Sequence, residues 1–187
     1  MKKFKLTSEF IVDISGVKLF RIKALIEFGN VKAGDLGGYI EKEENLSHMG
    51  NAWVFGNARV FGNAWVSGNA QVSGNAWVSG NAQVFGDARV SGNAQVFGNA
   101  RVSGDAQVFG DARVSGDKDY AYAHGFGSCN RTTTFFRLKD GDVGVRCGCF
   151  YGTLAQFRDN VCETHGETKK AQEYLMLADL MDFRFKN

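Results

Sequence analysis

The sequence predicts a mainly β protein whose centre is a parallel β-helix, with an N-terminal β-hairpin cap and a small C-terminal ββαα module. Three observations lead to this fold class. A six-residue unit repeats eleven times without interruption over residues 50–115, proline is absent, and hairpin and helix signals flank the repeat. The predicted organisation is a cap with an irregular first coil over residues 1–49, a repeat block over 50–117 and a module over 118–187.

Each repeat unit reads Gly, then Asn or Asp, then Ala, then Trp, Arg or Gln, then Val, then Phe or Ser. A period of six fits neither a heptad nor an α-helix, and Gly and Asn in every unit disfavour a helix. The Ala-x-Val part is a short strand in which Ala and Val point to the same side. The Gly-Asn or Gly-Asp part supplies a turn, because these residues tolerate positive φ. The unit is therefore a strand followed by a corner.

Three such units close a triangular coil, and successive coils stack about 4.8 Å apart through parallel backbone hydrogen bonds. Each coil is the template for the next one, which explains why the sequence is so monotonous. Valines 18 residues apart should therefore stack in inward columns, with Ala in the crowded corners. Two of the columns are Val60, Val78, Val96 and Val114, and Val66, Val84 and Val102.

The repeat resembles that of the hexapeptide-repeat proteins, in which an aliphatic residue is followed four positions later by a small one. Here Val54 precedes Ala58, and the pattern continues without a break to Val108 and Ala112. The resemblance implies a left-handed β-helix. The handedness comes from the resemblance and not from the spacing.

Two stretches outside the repeat are similar to segments of phage and prophage members of this group. They are "AGDLGGYIEKEENLS" before the repeat, and "RCGCFYGTLAQF" with "ETHG" and "EYL" after it. The resemblance therefore covers nearly the whole chain and implies a phage-type protein with an appended C-terminal "GCF…THG" module. It implies no established chemistry.

The N-terminal segment suits a cap, because an open β-helix exposes strand edges at its ends. Residues 10–14 and 17–28 predict a hairpin around a Ser-Gly turn. A first, irregular coil should begin near Ile40, which lies two hexads plus a two-residue insertion before Val54.

The C-terminal module should contain one hairpin and two helices. Residues 132–138 and 143–150 flank a Lys-Asp-Gly-Asp turn, which is a hairpin signal. Thr153 and Gln156 have the capping-box spacing, and a helix should run from there to about His165, before a glycine. One face of the second helix should carry Tyr174, Leu177, Ala178 and Met181.

Eight aromatic side chains of the repeat point away from the coil, which is more apolar surface than a monomer usually leaves exposed. Three explanations are open: the rings bury one another along the ladder, a homo-oligomer packs along one face, or the rings stack on nucleotide bases beside Arg. A trimer is the assembly that related β-helices suggest. The predicted interface residues are Phe61, Trp77, Phe97, Trp53, Phe55, Trp65 and Phe85. The first three form a continuous stripe, which favours self-contact along that face.

Charge and composition limit the classes of partner and the cellular location that the sequence allows. The net charge is +2 and the repeat block is neutral, so the sequence argues against nucleic acid as a partner. No apolar stretch is long enough for a membrane span, and no signal peptide is expected. Four cysteines in 187 residues do not suggest a secreted disulfide framework, so a cytoplasmic location is predicted, in the host if the protein is phage-encoded.

Four residues of the C-terminal module form a candidate metal set. Cys147 and Cys149 lie two apart on a predicted strand, and Cys162 and His165 share a helix face, so three thiolates and one imidazole could bind zinc. The alternatives are buried structural cysteines, a nucleophilic pair of Cys149 and His165, or a His165 that serves the helix C-terminus. We favour structural cysteines, with no metal and no cofactor.

Many hexapeptide-repeat proteins are acyltransferases that use acyl-CoA, and these usually have a catalytic His and a loop protruding from the coil. This repeat has neither, since His48, His124 and His165 all lie outside it and nothing interrupts the hexads. His124 lies in "AYAHGFGSCN", a stretch that resembles a linker. No catalytic residue is therefore assigned, and an acyltransferase is the main enzymatic alternative.

The functional hypothesis is a non-enzymatic, phage- or prophage-encoded scaffold that binds, occludes or sequesters a host component, such as a component of host defence. Its partner would be a host protein or a small ligand, in addition to copies of itself. The hypothesis rests on the family resemblance and on a rigid fold without catalytic apparatus. A structural virion or polymer component is the further alternative.

Overall fold

The computed structural model describes residues 2–128 and 130–186. Its N-terminal segment contains the strands β1 (Phe4–Val12), β2 (Lys18–Ala24) and β3 (Leu36–Ile40). β1 and β2 pair antiparallel, and the Asp13 carboxylate between them accepts the backbone N–H groups of Ser15 and Val17 at 3.0 and 2.8 Å. The predicted hairpin is confirmed, and its first strand begins earlier than predicted.

The repeat block forms one two-residue strand in each hexad. The strands are β4 (Trp53–Val54), β5 (Arg59–Val60), β6 (Trp65–Val66), β7 (Gln71–Val72), β8 (Trp77–Val78), β9 (Gln83–Val84), β10 (Arg89–Val90), β11 (Gln95–Val96), β12 (Arg101–Val102), β13 (Gln107–Val108) and β14 (Arg113–Val114). Every Val of these strands is fully buried, and every Ala before them is at most 1 % exposed. The inward positions of Ala and Val are therefore confirmed.

Strands 18 residues apart pair in parallel and give the coil three flat faces. The first face consists of β4, β7, β10 and β13, the second of β5, β8, β11 and β14, and the third of β6, β9 and β12. On the second face Val78 pairs with both Val60 and Val96, and on the third face Val84 pairs with Val66. The two valine columns have the predicted register, and the three-sided parallel coil is confirmed.

The corners of the coil explain the glycine in every unit. The corner glycines from Gly50 to Gly110 have φ between 61 and 75°, a region that other residues rarely adopt. Successive corners also approach closely, since a Cβ added to Gly68 would lie 3.0 Å from the backbone nitrogen of Gly86. The following Asn side chains form ladders, as where Asn69 Nδ2 donates to Asp87 Oδ1 at 3.0 Å.

The coil begins before the regular repeat, as predicted. Ile40 of β3 pairs in parallel with Val60, and Leu46 forms a parallel bridge with Val66, so both occupy the Val position of an earlier coil. β3 also pairs antiparallel with β2, and the hairpin thereby extends the second face into a seven-stranded sheet. The order in this sheet is β1-β2-β3-β5-β8-β11-β14.

The N-terminal end of the coil presents backbone carbonyl groups, because the N–H groups at three positions of a regular hexad donate to carbonyls of the following coil. Trp53 N–H, for example, donates to the Ala70 carbonyl at 3.0 Å. The carbonyls of the first corners have no preceding coil, and nitrogen donors from the cap satisfy them instead.

Two buried side chains supply these donors. Lys3 Nζ donates to the carbonyls of Ala52 at 2.8 Å and Gly50 at 3.3 Å. Asn45 Nδ2 donates to the carbonyls of Ala64 at 2.8 Å and Gly62 at 3.1 Å. Lys3 is 1 % exposed and Asn45 is fully buried, so each replaces two backbone donors in a dry environment.

The C-terminal end of the coil presents the opposite groups, backbone N–H donors without a following coil. Oxygen acceptors satisfy them there. The contacts are Arg101 N–H to Asp117 Oδ1 at 2.8 Å, Gln107 N–H to Thr134 Oγ1 at 2.9 Å and Ser115 N–H to Asp119 Oδ2 at 2.9 Å.

The described residues of the C-terminal module form four strands where two were predicted. They are β15 (Tyr120–Phe126), β16 (Arg131–Arg137), β17 (Val143–Cys147) and β18 (Phe150–Thr153), which form an antiparallel sheet in this order. β15 occupies a stretch that was expected to be a linker. The predicted strand over residues 143–150 is divided at Gly148, whose φ of +59° turns the chain back on itself.

The two predicted helices are confirmed as α1 (Leu154–His165) and α2 (Lys169–Phe185). Thr153 Oγ1 accepts the Gln156 N–H and the Gln156 side chain accepts the Thr153 N–H, which is the predicted capping box. Gly166 follows α1 with φ of +56°. Within the described residues, neither helix combines the length and apolar composition needed to cross a lipid bilayer.

The module and the coil have separate cores that meet at β16. Phe136 is fully buried in the coil core, whereas its neighbour Phe135 is fully buried in the module core with residues of both helices. Alternate residues of one strand thus enter the two cores, and the module closes the C-terminal end of the coil. The α2 residues in the module core include Tyr174, Ala178 and Met181, with Leu177 partly buried against them.

Candidate functional site

The second face of the coil carries a ladder in which guanidinium and aromatic groups alternate from Arg21 to Trp77. In register along this face lie Arg21, Tyr39, Arg59, Trp77, Gln95 and Arg113. Three guanidinium groups lie over aromatic rings. The distances to the ring centres are 5.1 Å for Arg21 and Tyr39, 5.2 Å for Arg59 and Trp77, and 5.4 Å for Arg113 and Phe97.

The predicted stripe of Phe61, Trp77 and Phe97 lies on this face, and all three side chains are half-buried. The rings of Phe61 and Trp77 meet edge to face with centres 6.4 Å apart. Mutual packing and stacked Arg side chains therefore cover part of each ring, and the remainder stays open to solvent. Along this face, aromatic rings therefore lie next to the guanidinium groups of Arg59 and Arg113.

The ladder extends beyond the repeat onto the N-terminal cap, which the sequence interpretation missed. Arg21 donates to Tyr39 Oη at 2.8 Å, and Tyr39 Oη donates to Glu9 Oε1 at 3.0 Å. The signal was present, because Gly-Tyr-Ile fits the repeat unit and places Tyr39 at its outward position. Arg21 and Glu9 come from the antiparallel hairpin, whose register the sequence does not reveal.

The first face differs from the expectation for Trp53, which is only 1 % exposed. The N-terminal segment folds over this residue, and the rings of Phe28 and Phe4 lie 5.3 and 6.2 Å from the Trp53 ring. Trp53 points out of the coil as predicted, but it is covered within the same chain. Phe55 is half-buried and packs against the coil core.

The third face carries the remaining predicted interface residues. Trp65 is 45 % exposed, and Phe85 is half-buried two coils from the C-terminal end. The three faces thus differ in exposure although their repeat units are nearly the same.

A cavity of about 250 Å³ in the module lies beside three of the four candidate zinc residues, which do not form one ligand set. Cys147, Cys149 and His165 line this cavity, and Cys162 lies outside its lining. The expectation that the two sulfurs share one strand face is wrong, because Cys149 lies in the turn after Gly148. Between residues 2 and 186, Cys129 set aside, no three His, Cys, Asp or Glu side chains are grouped as metal ligands would be.

The thiols also depart from the expected buried, structural role. Of the three cysteines that the structure describes, Cys149 and Cys162 are exposed and Cys147 is partly buried. Thr133 Oγ1 donates to Cys147 Sγ at 3.1 Å, and the Cys147 thiol donates to Tyr174 Oη at 3.7 Å. Cys147 is therefore held by hydrogen bonds at the cavity floor.

Tyr174 lines this cavity and contacts Ser128, Cys147 and His165. Burial raises the pKa of the Tyr174 phenol, and the neighbouring Cys147 thiol raises it further, while hydrogen bonds to Ser128 oppose the change. The phenol is therefore neutral at physiological pH, and its hydroxyl interacts with the backbone of Ser128. The imidazole of His165 stacks on the phenol ring at 5.8 Å. His165 thus has a packing role at the end of α1.

The other two histidines lie outside the regular repeat. His48 Nδ1 accepts the Lys3 backbone N–H at 3.2 Å, and its ring stacks on Phe4 at 4.3 Å, so it belongs to the N-terminal cap. His124 lies on β15, within 2.9 Å of Thr132 Oγ1, and not in a linker.

A comparison with protein families supports the repeat architecture. Residues 50–68, 70–84, 82–96 and 94–107 match a family model described as the YdcK beta solenoid repeat. Together with the stacked parallel coils, this match shows that the chain is a β-solenoid repeat protein. The matched residues lie within the coil and include neither cap. No curated protein matches the chain.

Proposed function

We propose that the chain is a non-enzymatic scaffold, encoded by a phage or prophage, that binds and occludes or sequesters a host component in the host cytoplasm. In this proposal the coil is left-handed, and three copies assemble through the second face. The observation that carries the proposal is the stripe of Phe61, Trp77 and Phe97, half-buried and flanked by Arg59 and Arg113.

The residue types of this stripe support a contact between protein surfaces. Trp and Arg side chains at the centre of an interface usually contribute most of its binding energy. The guanidinium groups already lie over the rings, so little side-chain entropy remains to be lost on assembly. Ser79 lies between Phe61 and Phe97 at the same repeat position. Gln95 follows Trp77 in register, so smaller or polar side chains separate the rings along the face.

The geometry of the coil supports a rigid scaffold. Strand follows strand at six-residue intervals from β4 to β14, without an inserted loop that could enclose a substrate. Each coil hydrogen-bonds to its neighbours along all three faces. Such a surface can present side chains at fixed spacing, which suits binding and occlusion.

The assembly is tested by light scattering on Trp77→Ala, with Trp65→Ala as the matched control. Both tryptophans occupy the same position of the repeat, but Trp65 lies on the third face. We expect Trp77→Ala to weaken association by about 2 kcal/mol, or roughly thirtyfold, and Trp65→Ala to leave the mass unchanged. Phe97→Arg, which places a charge in the stripe, should abolish association while circular dichroism shows a folded coil. A wild-type monomer at high concentration would refute the assembly.

The binding role is tested by incubating the purified protein with host extract and analysing what remains bound after washing. We expect a component that is retained in stoichiometric amount and recovered chemically unchanged after the protein is denatured. Turnover of the component by the protein would refute the non-enzymatic role.

A further inference from the structure

A groove of about 440 Å³ lies where the last coil of the third face meets the C-terminal module. Phe85, Arg101 and Ser103 line it from the coil, Tyr122 from β15 and Arg184 from α2. The groove is distinct from the second face and from the cavity that contains the cysteines. The family match assigns it no role, and the sequence interpretation named only Phe85 of these residues, as part of a predicted interface.

The shape of the groove follows from two small residues. Phe85 and Ser103 occupy the same repeat position in successive coils, so the small serine leaves space above the Phe85 ring. Tyr122 borders the groove on the module side and is 41 % exposed. Gly104 permits this position, since a Cβ there would lie 2.4 Å from Tyr122 Oη. Two aromatic rings therefore border a gap that is open to solvent.

The same groove carries two cationic groups. Arg184 Nη2 donates to the Asp117 carbonyl at 3.2 Å, which uses one of its five N–H donors. The Arg101 guanidinium, in contrast to those of Arg59 and Arg113, neither stacks on a ring nor pairs with an acceptor among the described residues. The Asp117 carboxylate already accepts the backbone N–H of Arg101 at 2.8 Å. The groove is therefore net positive, with donors left for an anion.

We propose that this groove binds a nucleoside phosphate, with the base between Phe85 and Tyr122 and the phosphate at Arg101 and Arg184. Aromatic rings stack on any base, and Arg presents paired donors that match phosphate oxygens. The groove volume falls within the range of about 300–1,000 Å³ that is usual for small-ligand sites. The inference rests on the proposed sequestering role and gives the chemical class of the component that is sequestered.

Calorimetry on the full chain tests the inference with the four ribonucleoside 5′-monophosphates. Ribose 5-phosphate and the nucleosides serve as probes that lack the base or the phosphate. We expect at least one mononucleotide to bind with a stoichiometry of one per chain, and its two fragments to bind at least tenfold more weakly. Raising the salt concentration from 50 to 200 mM should weaken binding further, because the phosphate contact is ionic.

Variants locate the site. Tyr122→Ala and Arg101→Ala should each weaken nucleotide binding at least fivefold. Arg89→Ala is the matched control, because Arg89 has the same repeat position and is equally exposed, but lies on the first face. Melting curves of the variants should match that of the wild type, which separates loss of a contact from loss of the fold.

Three results would overturn the inference: no mononucleotide binds at millimolar concentration, ribose 5-phosphate binds as well as the nucleotide, or Arg89→Ala weakens binding as much as Arg101→Ala does. Tighter binding of a single-stranded oligonucleotide would overturn the assignment to a small ligand. The scaffold role fails separately. If the protein chemically converts the bound nucleotide, the proposed binding site is supported and the non-enzymatic role is refuted. If nothing binds, assembly through the second face is unaffected.

Discussion

The two ends of the coil are capped by opposite kinds of hydrogen-bonding group. At the N-terminal end, carbonyl groups are satisfied by the nitrogen donors of Lys3 and Asn45, and at the C-terminal end N–H groups are satisfied by oxygen atoms of Asp117, Asp119 and Thr134. The difference follows from the direction of the ladder, in which the N–H groups of the Asn or Asp position and of the residues on either side of Val donate to the following coil. The side chains that cap the two ends therefore differ in kind, with nitrogen donors at the N-terminal end and oxygen acceptors at the C-terminal end.

The coils between the ends need no such special residues. Each coil satisfies the backbone of its neighbour, and Val and Ala fill its interior in every turn. The free energy of unfolding of such an array is approximately a sum of terms from neighbouring coils. A substitution at one end should therefore leave the other end stable, whereas a substitution in the central coils should destabilise both ends.

The largest expected effect is that of Val78→Asp, which should unfold the central coils and, with them, the coils at both ends. The substitution buries a carboxylate without a partner in the second-face column, and we expect a loss of at least about 4 kcal/mol in the free energy of unfolding. Circular dichroism should show loss of the coil signal. Gln83→Asp, at a half-exposed outward position, is the control and should change stability by less than about 0.5 kcal/mol.

Asn45→Leu should destabilise only the N-terminal end of the coil. It leaves the Ala64 and Gly62 carbonyls without donors, and a loss of about 2–4 kcal/mol is expected from two unsatisfied buried groups. Urea unfolding measures the loss. Hydrogen exchange should accelerate in the first coils and remain slow near β14. Asn69→Ala, which removes an exposed corner amide, is the control, and an equal loss there would contradict the capping role of Asn45.

Asp119→Asn should destabilise the C-terminal end of the coil and lower the free energy of unfolding by about 1–2 kcal/mol at neutral pH. Burial opposes ionisation of Asp119, but hydrogen bonds from the Ser115 side chain and from the Ser115 and Gly116 backbone outweigh it and hold its pKa below the usual 3.8. Because the folded pKa is the lower one, this stabilisation is present above pH 3.8 and is lost as the pH falls through the folded value. Denaturation curves of wild type and variant should therefore converge in acid.

Lys3→Met should have the smallest effect at neutral pH, within about 1 kcal/mol, because the lost hydrogen bonds are offset by removal of a buried charge. Burial lowers the pKa of Lys3 from 10.5 to about 8. Between these values the unfolded chain binds more protons than the folded one, so the contribution of Lys3 to stability rises with pH across this window. The stability of the wild type relative to Lys3→Met should increase from pH 8 to 10.5. A constant difference would contradict the shifted pKa.

Local and periodic patterns were enough to predict much of this protein. The six-residue period gave the inward columns of Val60 and Val66 because every coil repeats the same register. The capping box at Thr153 gave the start of α1 because its partners lie three residues apart. In both cases the interacting residues are close in sequence or related by a fixed spacing.

The same reasoning failed where one residue changed a long-range arrangement. Gly148 turns the chain and separates Cys147 from Cys149, so the spacing of the thiols did not predict their geometry. Residues 120–126 became a strand because β16 lies beside them, although their own composition suggested a linker.

The sequence by itself determined the coil, its three faces and the two helices, since these depend on periodicity and on contacts between near neighbours. Only the tertiary structure decided which outward aromatics stay exposed, which side chains cap the coil and where a groove forms. Trp53 is buried by Phe4 and Phe28, and the groove joins Phe85 to Arg184, about one hundred residues later. Such contacts depend on how the hairpin and the module close onto the coil, and neither carries a repeat that fixes its register in advance.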